Sequence, residues 1–273
     1  AAYRRDSLDA QTVALIAAIF NNNNQFTEAV DVTETYRRTD TLNMDVNRQN
    51  AKAYCMLKYY KTSINRYEAL KAMGDRSFTT LYYLGVSQYA DNWPYGARDN
   101  LLEAHKKNPM DVNVLYYLAK ACARSSWKEE GIAYMNKAFD MVVPTDSMMI
   151  RLYDGLLECY KFHTKADPYE KIEVMKEAYS YTKRYTLFYQ IAEIYDYQKD
   201  YVNAVHYYEK YMALVPKNKQ AALDSEGNPL PNVDTMYQKA RRRVEKIKVE
   251  DFFRNGAHDD YFEPKVIRTQ TKK

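Results

Sequence analysis

The chain of 273 residues has little of what breaks or staples a polypeptide: seven glycines, eight prolines and three cysteines. So few turn-formers argue against an all-β fold and suit helices joined by short connections. Cys55, Cys122 and Cys159 are odd in number, fall at helical positions and show no CxxC spacing. Neither a disulfide framework nor a thiolate metal site is expected from them; buried, inert thiols are. No apolar run reaches eighteen residues, so no membrane-spanning helix is expected. The four histidines (His105, His163, His206 and His258) are scattered without zinc-motif spacing, and His258-Asp259-Asp260 reads as a solvated acidic stretch. GxxxxGK[ST], GxGxxG and GxSxG are all missing. We therefore expect no enzyme: no catalytic residue, no metal, no cofactor and no small-molecule substrate. Neither sign of charge dominates. Forty Lys and Arg stand against 36 Asp and Glu, a net +4 that does not point to nucleic acid.

What the chain does have is tyrosine, 28 in all, and a period. In Leu81 to Pro109, Leu81, Leu84 and Gly85 recur at helical spacing; a turn, Asp91-Asn-Trp-Pro-Tyr-Gly96, leads to a second run with Ala97, Leu101 and Ala104. Stepping 34 residues from Gly85 gives Ala51 and Ala17 behind and Ala119 and Tyr153 ahead; stepping from Ala97 gives Ser63, Ala29 and Gly131. Small side chains at these slots let helix backbones approach closely. The bulky slot reads Phe20, Tyr54, Gln88, Cys122 and Leu156, with Gln88 out of pattern. The next step is 39, to Ala192, with the extra residues in a loop-like stretch, Lys161 to Pro168. A clean unit follows, with Phe188, Ile191, Ala192, Tyr195, Ala204, Tyr208, Tyr211 and Pro216. Six helix pairs result: 10–43, 44–77, 78–111, 112–145, 146–184 and 185–218. The second matches worst, with Asn47 and Asn50 at apolar slots; the fifth lacks the small residues.

This pattern of Leu-Gly, aromatic, Ala, Ala and closing Pro at a period of 34 resembles the tetratricopeptide repeat (TPR) family. The resemblance implies an all-α superhelix, a TPR-like solenoid of about six helix pairs. Its expected organisation is a short lead (1–9), the array (10–218), an exposed loop (219–233), a capping helix (234–253) and an extension (254–273). Ser7 or Asp9 is expected to cap the first helix and Asp146 or Ser147 the fifth pair. Met236, Ala240, Val244 and Ile247 form the apolar face of a last helix that covers the open end.

The resemblance also implies function: a non-enzymatic scaffold or adaptor whose first helices line a concave groove for a partner protein or peptide. Laid on that pattern, Arg48 and Lys52 make a basic start to the inner wall. Tyr82, Tyr89, Tyr116, Lys120 and Arg124 make an aromatic and basic middle, and Asp154, Tyr189, Glu193 and Asp196 an acidic end. A solvated helix face would use many of the same residues. The carboxylate clamp of some members is not matched, because its slots hold Ala14 and Ala18, Arg48 and Lys52, then Tyr82 and Val86. Alternatively, the chain is a structural subunit of a larger assembly, held by its surface and tail. Lys239, Arg241, Arg242, Arg243, Lys246 and Lys248 on the last helix read as its solvated side, with anionic polymers a weaker partner class. The Tyr- and Asn-rich composition and the Ala1-Ala2 start without Met favour a bacterial periplasm or cell envelope, although the unpaired cysteines fit the cytoplasm equally.

Overall fold

A computed structural model describes residues 9–220 and 234–255. The lead before residue 9, the loop from 221 to 233 and the extension beyond 255, with its His258 cluster, lie outside the described residues. Among the described residues are thirteen α-helices and no strand. They are α1 (Ala10–Asn22), α2 (Phe26–Arg37), α3 (Met44–Met56), α4 (Tyr60–Ala72), α5 (Phe78–Ala90), α6 (Pro94–Lys107), α7 (Val112–Ala123) and α8 (Lys128–Asp140). Then follow α9 (Asp146–Phe162), α10 (Pro168–Thr182), α11 (Thr186–Tyr197), α12 (Tyr201–Leu214) and, after a 3-10 turn at Lys217–Lys219, α13 (Thr235–Asn255).

The starts of the first helices are written into the sequence at the repeat period. Asp9, Asn43, Ser77, Asp111 and Thr145 lie 34 residues apart, and each accepts the N–H three residues on, at 2.7 to 3.4 Å. Each bond satisfies one of the donors that a helix start leaves open. Thr145, not Asp146 or Ser147, caps α9: its backbone is still extended, whereas Asp146 is already the first helical residue.

The small-residue slots are close approaches. A Cβ on Gly85 would lie 2.5 Å from Cγ of Leu101, and one on Gly131 would lie 2.8 Å from the Ala119 carbonyl oxygen. In the fifth pair the approach falls at Gly155 instead, against Met135 and Tyr116. Of the out-of-pattern polar residues, Gln88 and Asn50 are buried and bonded, whereas the buried Asn47 donates to the Thr41 carbonyl at 2.8 Å but leaves its Oδ1 without a partner among the described residues. Gln88 donates to Glu68 at 3.0 Å and accepts from Asn100 at 2.8 Å. Asn50 donates to Thr33 at 2.9 Å and to Glu34 at 3.0 Å, and Arg66 donates to it at 3.2 Å. Such satisfied groups sit in a core at little cost, whereas an orphan would cost about 1–3 kcal/mol. All three cysteines are free and buried, and burial pushes the thiols of Cys122 and Cys159 up to about 11 and about 12.

The chain divides into two compact units, up to Thr164 and from Lys165. The division falls in the stretch where the period breaks. Part of that insertion is helix: Lys161 and Phe162 extend α9 to 17 residues, against 12 to 14 for α1–α8. Pro168 then opens α10 at a position where a missing N–H leaves no bond unmade. In the second unit Ala240, Val244 and Ile247 of α13 join Ile191, Val205, Tyr208 and Tyr211 in one core, so the last helix covers the face that the sixth pair leaves open. Asp234 caps it, accepting from the N–H groups of Met236 and Tyr237 at 2.9 and 3.1 Å.

Candidate functional site

The first helices α3, α5, α7 and α9 carry the wall expected to meet a partner. Its middle is organised by one carboxylate. Glu158 on α9 accepts from the Tyr89 hydroxyl of α5 at 2.5 Å and from Nε of Arg124, the C-cap of α7, at 2.6 Å, and lies 3.0 Å from Lys120 Nζ. Its side chain is 16% exposed. Burial alone would raise its pKa; the Tyr89 hydrogen bond and the charges of Lys120 and Arg124 overcome that and hold it below the ordinary value. Two cations against one anion leave the cluster net positive.

Aromatic rings surround these charges. Lys120 Nζ lies 5.1 Å from the Tyr89 ring centre and 4.9 Å from that of Tyr116, and donates to the Tyr116 hydroxyl at 3.3 Å. The Arg124 guanidinium is 4.4 Å from the Tyr89 ring, and that of Arg151 is 4.4 Å from Tyr116. Tyr117 meets Tyr82, Tyr89 and Tyr116 edge-on at 6.3, 6.1 and 5.2 Å. Tyr82 in turn stacks on Phe78 at 5.9 Å. Rings so arranged form a continuous, stiff aromatic network with cations set into it; Tyr89 and Tyr116 are buried, and Tyr82 and Tyr117 are half-buried.

Toward the N-terminus the two basic residues differ. Arg48 is committed inside the protein: Nε and Nη2 donate to Asp75 at 3.0 and 2.8 Å, and Nη1 donates to Asp45 at 2.6 Å. Asp75 also accepts from the Ser77 N–H and the Thr80 hydroxyl. Burial opposes its ionisation, but these bonds win and bring its pKa to about 2. Lys52 is half-buried with Asn22 Oδ1 at 3.3 Å and the Tyr83 ring at 5.9 Å. No carboxylate among the described residues lies within 4.0 Å of its ammonium, whose pKa burial pushes down.

Asp154 lies on α9 of the first unit and is exposed; the remaining candidates belong to the second unit. Tyr189 is buried between the rings of Tyr208 and Tyr211 at 5.6 and 5.4 Å, and burial followed by the charge of Glu193 pushes its phenol up to about 12. Glu193 is exposed. Asp196 is taken by Arg243 of α13, which grips both of its oxygens at 2.6 Å. Arg243 is thus removed from the solvated basic face of the last helix, while Lys239, Arg241, Arg242 and Lys246 stay exposed.

Glu158, Arg151, Tyr117 and Asp75 were not among the sequence candidates. A signal for Glu158 existed: it stands one period of 34 after Arg124, so the same wall slot holds opposite charges in successive pairs. No comparable spacing announces the others.

Compared with known proteins, the chain matches no protein-family model and no curated protein. Solved structures do match. One is YrrB, a TPR protein with an unusual peptide-binding site, at a TM-score of 0.56 and 15% identity over 68% of this chain and 93% of that one. A structure of MamA MSR-1 matches at 0.54 and 17% identity, over 67% of this chain and 97% of that one. The APC/C hetero-tetramer Cut9–Hcn1 matches at 0.52 and 13% identity, over 89% of this chain and 44% of that one. The fold is a TPR-like solenoid. At such identities the likeness is one of fold.

Proposed function

We propose that this chain is a non-enzymatic protein-interaction scaffold that holds a partner, as an extended peptide, against the inner wall of its first unit. The observation that carries the reading is the wall itself: Lys52 without an acidic partner, followed by the half-buried rings of Tyr82 and Tyr117, backed by the buried Tyr116, with Lys120 and Arg124 set among them. Tyr and Arg are the residue types that most often dominate interface energies. A solenoid offers such a long surface and little enclosed interior, which suits recognition. The peptide-binding site of YrrB supports the reading by analogy of fold. Lys52 and Tyr82 are the contact residues, the buried Tyr116 backs them, and Tyr89, Lys120 and Arg124 shape the wall through Glu158. Arg48 and Asp196 act from within. On the second unit, Tyr189 is buried and Glu193 is exposed.

The test is affinity. Dodecapeptides selected on the whole chain from a random library are titrated against Lys52→Met, Tyr82→Ala and Tyr116→Ala, with folding checked by circular dichroism. Each substitution is expected to weaken binding about tenfold, or roughly 1.4 kcal/mol. Unchanged affinity in all three, with the fold intact, overturns the reading.

A second reading, a structural subunit of a larger assembly, draws on α1. This helix bears no charged residue, and Leu15 and Ile19, one turn apart, are 63% and 50% exposed. A permanent subunit leaves native cells at fixed stoichiometry with its neighbours through size-exclusion chromatography, whereas a scaffold for peptides exchanges them.

A further inference from the structure

From the second pair onward, each first helix packs on both helices of the pair before it: α3 on α1 and α2, α5 on α3 and α4, α7 on α5 and α6. Two columns of the 34-residue period turn toward that neighbour. One holds Ile16, Asn50, Leu84 and Leu118, the other Ile19, Ala53, Ser87 and Ala121. In α3, α5 and α7 all of these residues are fully buried. On α1, which no helix precedes among the described residues, Ile16 is only half-buried, and Ile19 and Leu15, one turn apart, are exposed. The second helix α2 leaves a charge in the same state. Glu28 stands three periods of 34 before Glu130, which meets Arg98 of the preceding pair at 3.6 Å. Glu28 is exposed, and no cation among the described residues lies within 4.0 Å of its carboxylate. The open end of a solenoid calls for a polar outer face; this one presents an uncharged helix with apolar residues outward and an acid without a counter-charge.

The last helix carries the complement. Inward, α13 closes the sixth pair; outward, Phe252 and Phe253 are 54% and 80% exposed, their rings edge-on at 5.7 Å, and Val249 is exposed with them. Arg242, Val249 and Phe253 fall at i, i+7 and i+11, one stripe of the helix. Arg242 and Lys239 are exposed and have no carboxylate within 4.0 Å among the described residues. We propose that α1, together with Glu28, docks head to tail on this outward face of α13 in a second copy of the chain. Leu15 and Ile19 cover Val249 and Phe253, and Glu28 gains Arg242 or Lys239 as its cation. Charge selects this occupant. Pairing α1 with α1 of another copy would cover the same apolar residues but bring two Glu28 carboxylates to one interface without a cation, whereas α13 supplies apolar area and cation together. α13 also packs on α12 as each first helix packs on the second helix before it, so its outward side is where a further helix would be added. The two contacting surfaces differ, so the contact is heterologous.

The experiment is sedimentation velocity on the full chain over a concentration series, with the fold of each variant checked by circular dichroism. The weight-average mass is expected to rise with concentration above that of one chain. Ile19→Lys on α1 and Phe253→Lys on α13 are each expected to weaken association by about tenfold or more. Mixed together, the two variants recover a two-chain species, because each keeps the surface that the other has lost. Lys52→Met, on the inner wall, leaves the association unchanged, so failure here is distinguishable from failure of the peptide-wall reading. The proposal is overturned if the chain is monomeric at every concentration, if neither Ile19→Lys nor Phe253→Lys weakens association, or if their mixture stays monomeric. Association that Ile19→Lys abolishes and Phe253→Lys leaves intact also overturns it, and makes the contact one of α1 with α1.

Discussion

Glu158 in the first unit and Asp196 in the second are held by the same pair of groups, a tyrosine hydroxyl and an arginine fork, to opposite ends. Glu158 takes Tyr89 and Arg124 from neighbouring first helices, so its bonds knit the inner wall from within. Asp196, on α11, takes Tyr208 from α12 at 3.4 Å and Arg243 from α13 at 2.6 Å, so its bonds fasten the closing helix. The first cluster keeps a surplus of positive charge on a surface; the second is a neutral pair spent on closure. A charge on a first helix is therefore evidence of a binding wall only after its partners are known.

Breaking the second clasp gives the largest effect. Asp196→Ala leaves Arg243 half-buried and unpaired beside Tyr201, and the chain loses about 3 kcal/mol in urea titration. Hydrogen exchange should quicken over residues 235–253 while α5–α9 keep their protection. Equal quickening in both units would mean that the clasp does not act locally. Glu158→Gln comes next, at about 2 kcal/mol, because Lys120 and Arg124 are then left without their counter-charge. Adding Lys120→Met should recover about 1 kcal/mol of that loss in a double-mutant cycle; no coupling would sever Lys120 from the cluster.

Acid probes a third carboxylate. The folded pKa of Asp75, about 2, lies below its ordinary 3.8, so its stabilisation is present above pH 4 and is lost as the pH falls from 3.8 toward 2. Up to about 2 kcal/mol is at stake. Asp75→Asn should flatten that limb of the stability curve, and an unchanged limb would assign it to other acids. The smallest effect belongs to Arg241 and Glu245, an exposed pair one turn apart. Glu245→Gln should move stability by less than about 0.5 kcal/mol, which separates a solvated ion pair from the clasp at Arg243 on the same helix.

Much of this architecture was legible in the sequence because it is local or periodic. Helix pairs, close approaches at Gly85 and Gly131, and the closing face of Ala240, Val244 and Ile247 all follow from spacing alone. The cap of the first helix was narrowed only to Ser7 or Asp9, of which Asp9 makes it, and the one at Thr145 was missed, because neighbouring residues have the right chemistry and backbone geometry chooses among them. Long-range pairing was not legible. Tyr89 and Glu158 are 69 residues apart, and Asp196 and Arg243 are 47 apart, neither a multiple of the period. Gln88 and Asn50 looked like faults in the repeat because their partners come from other helices. The fifth pair, read as one unit, is split between α9 and α10 at the insertion, which the sequence showed only as a broken period.

The most direct test of the inner wall is site-specific photo-cross-linking. Benzoylphenylalanine replaces Tyr82 on α5, or as a control Tyr134 on the second helix α8, and the full chain is irradiated with a peptide selected on the unmodified protein. A binding wall on the first helices predicts a covalent adduct from position 82 and none from position 134. An adduct from position 134 alone, or from neither, would contradict it.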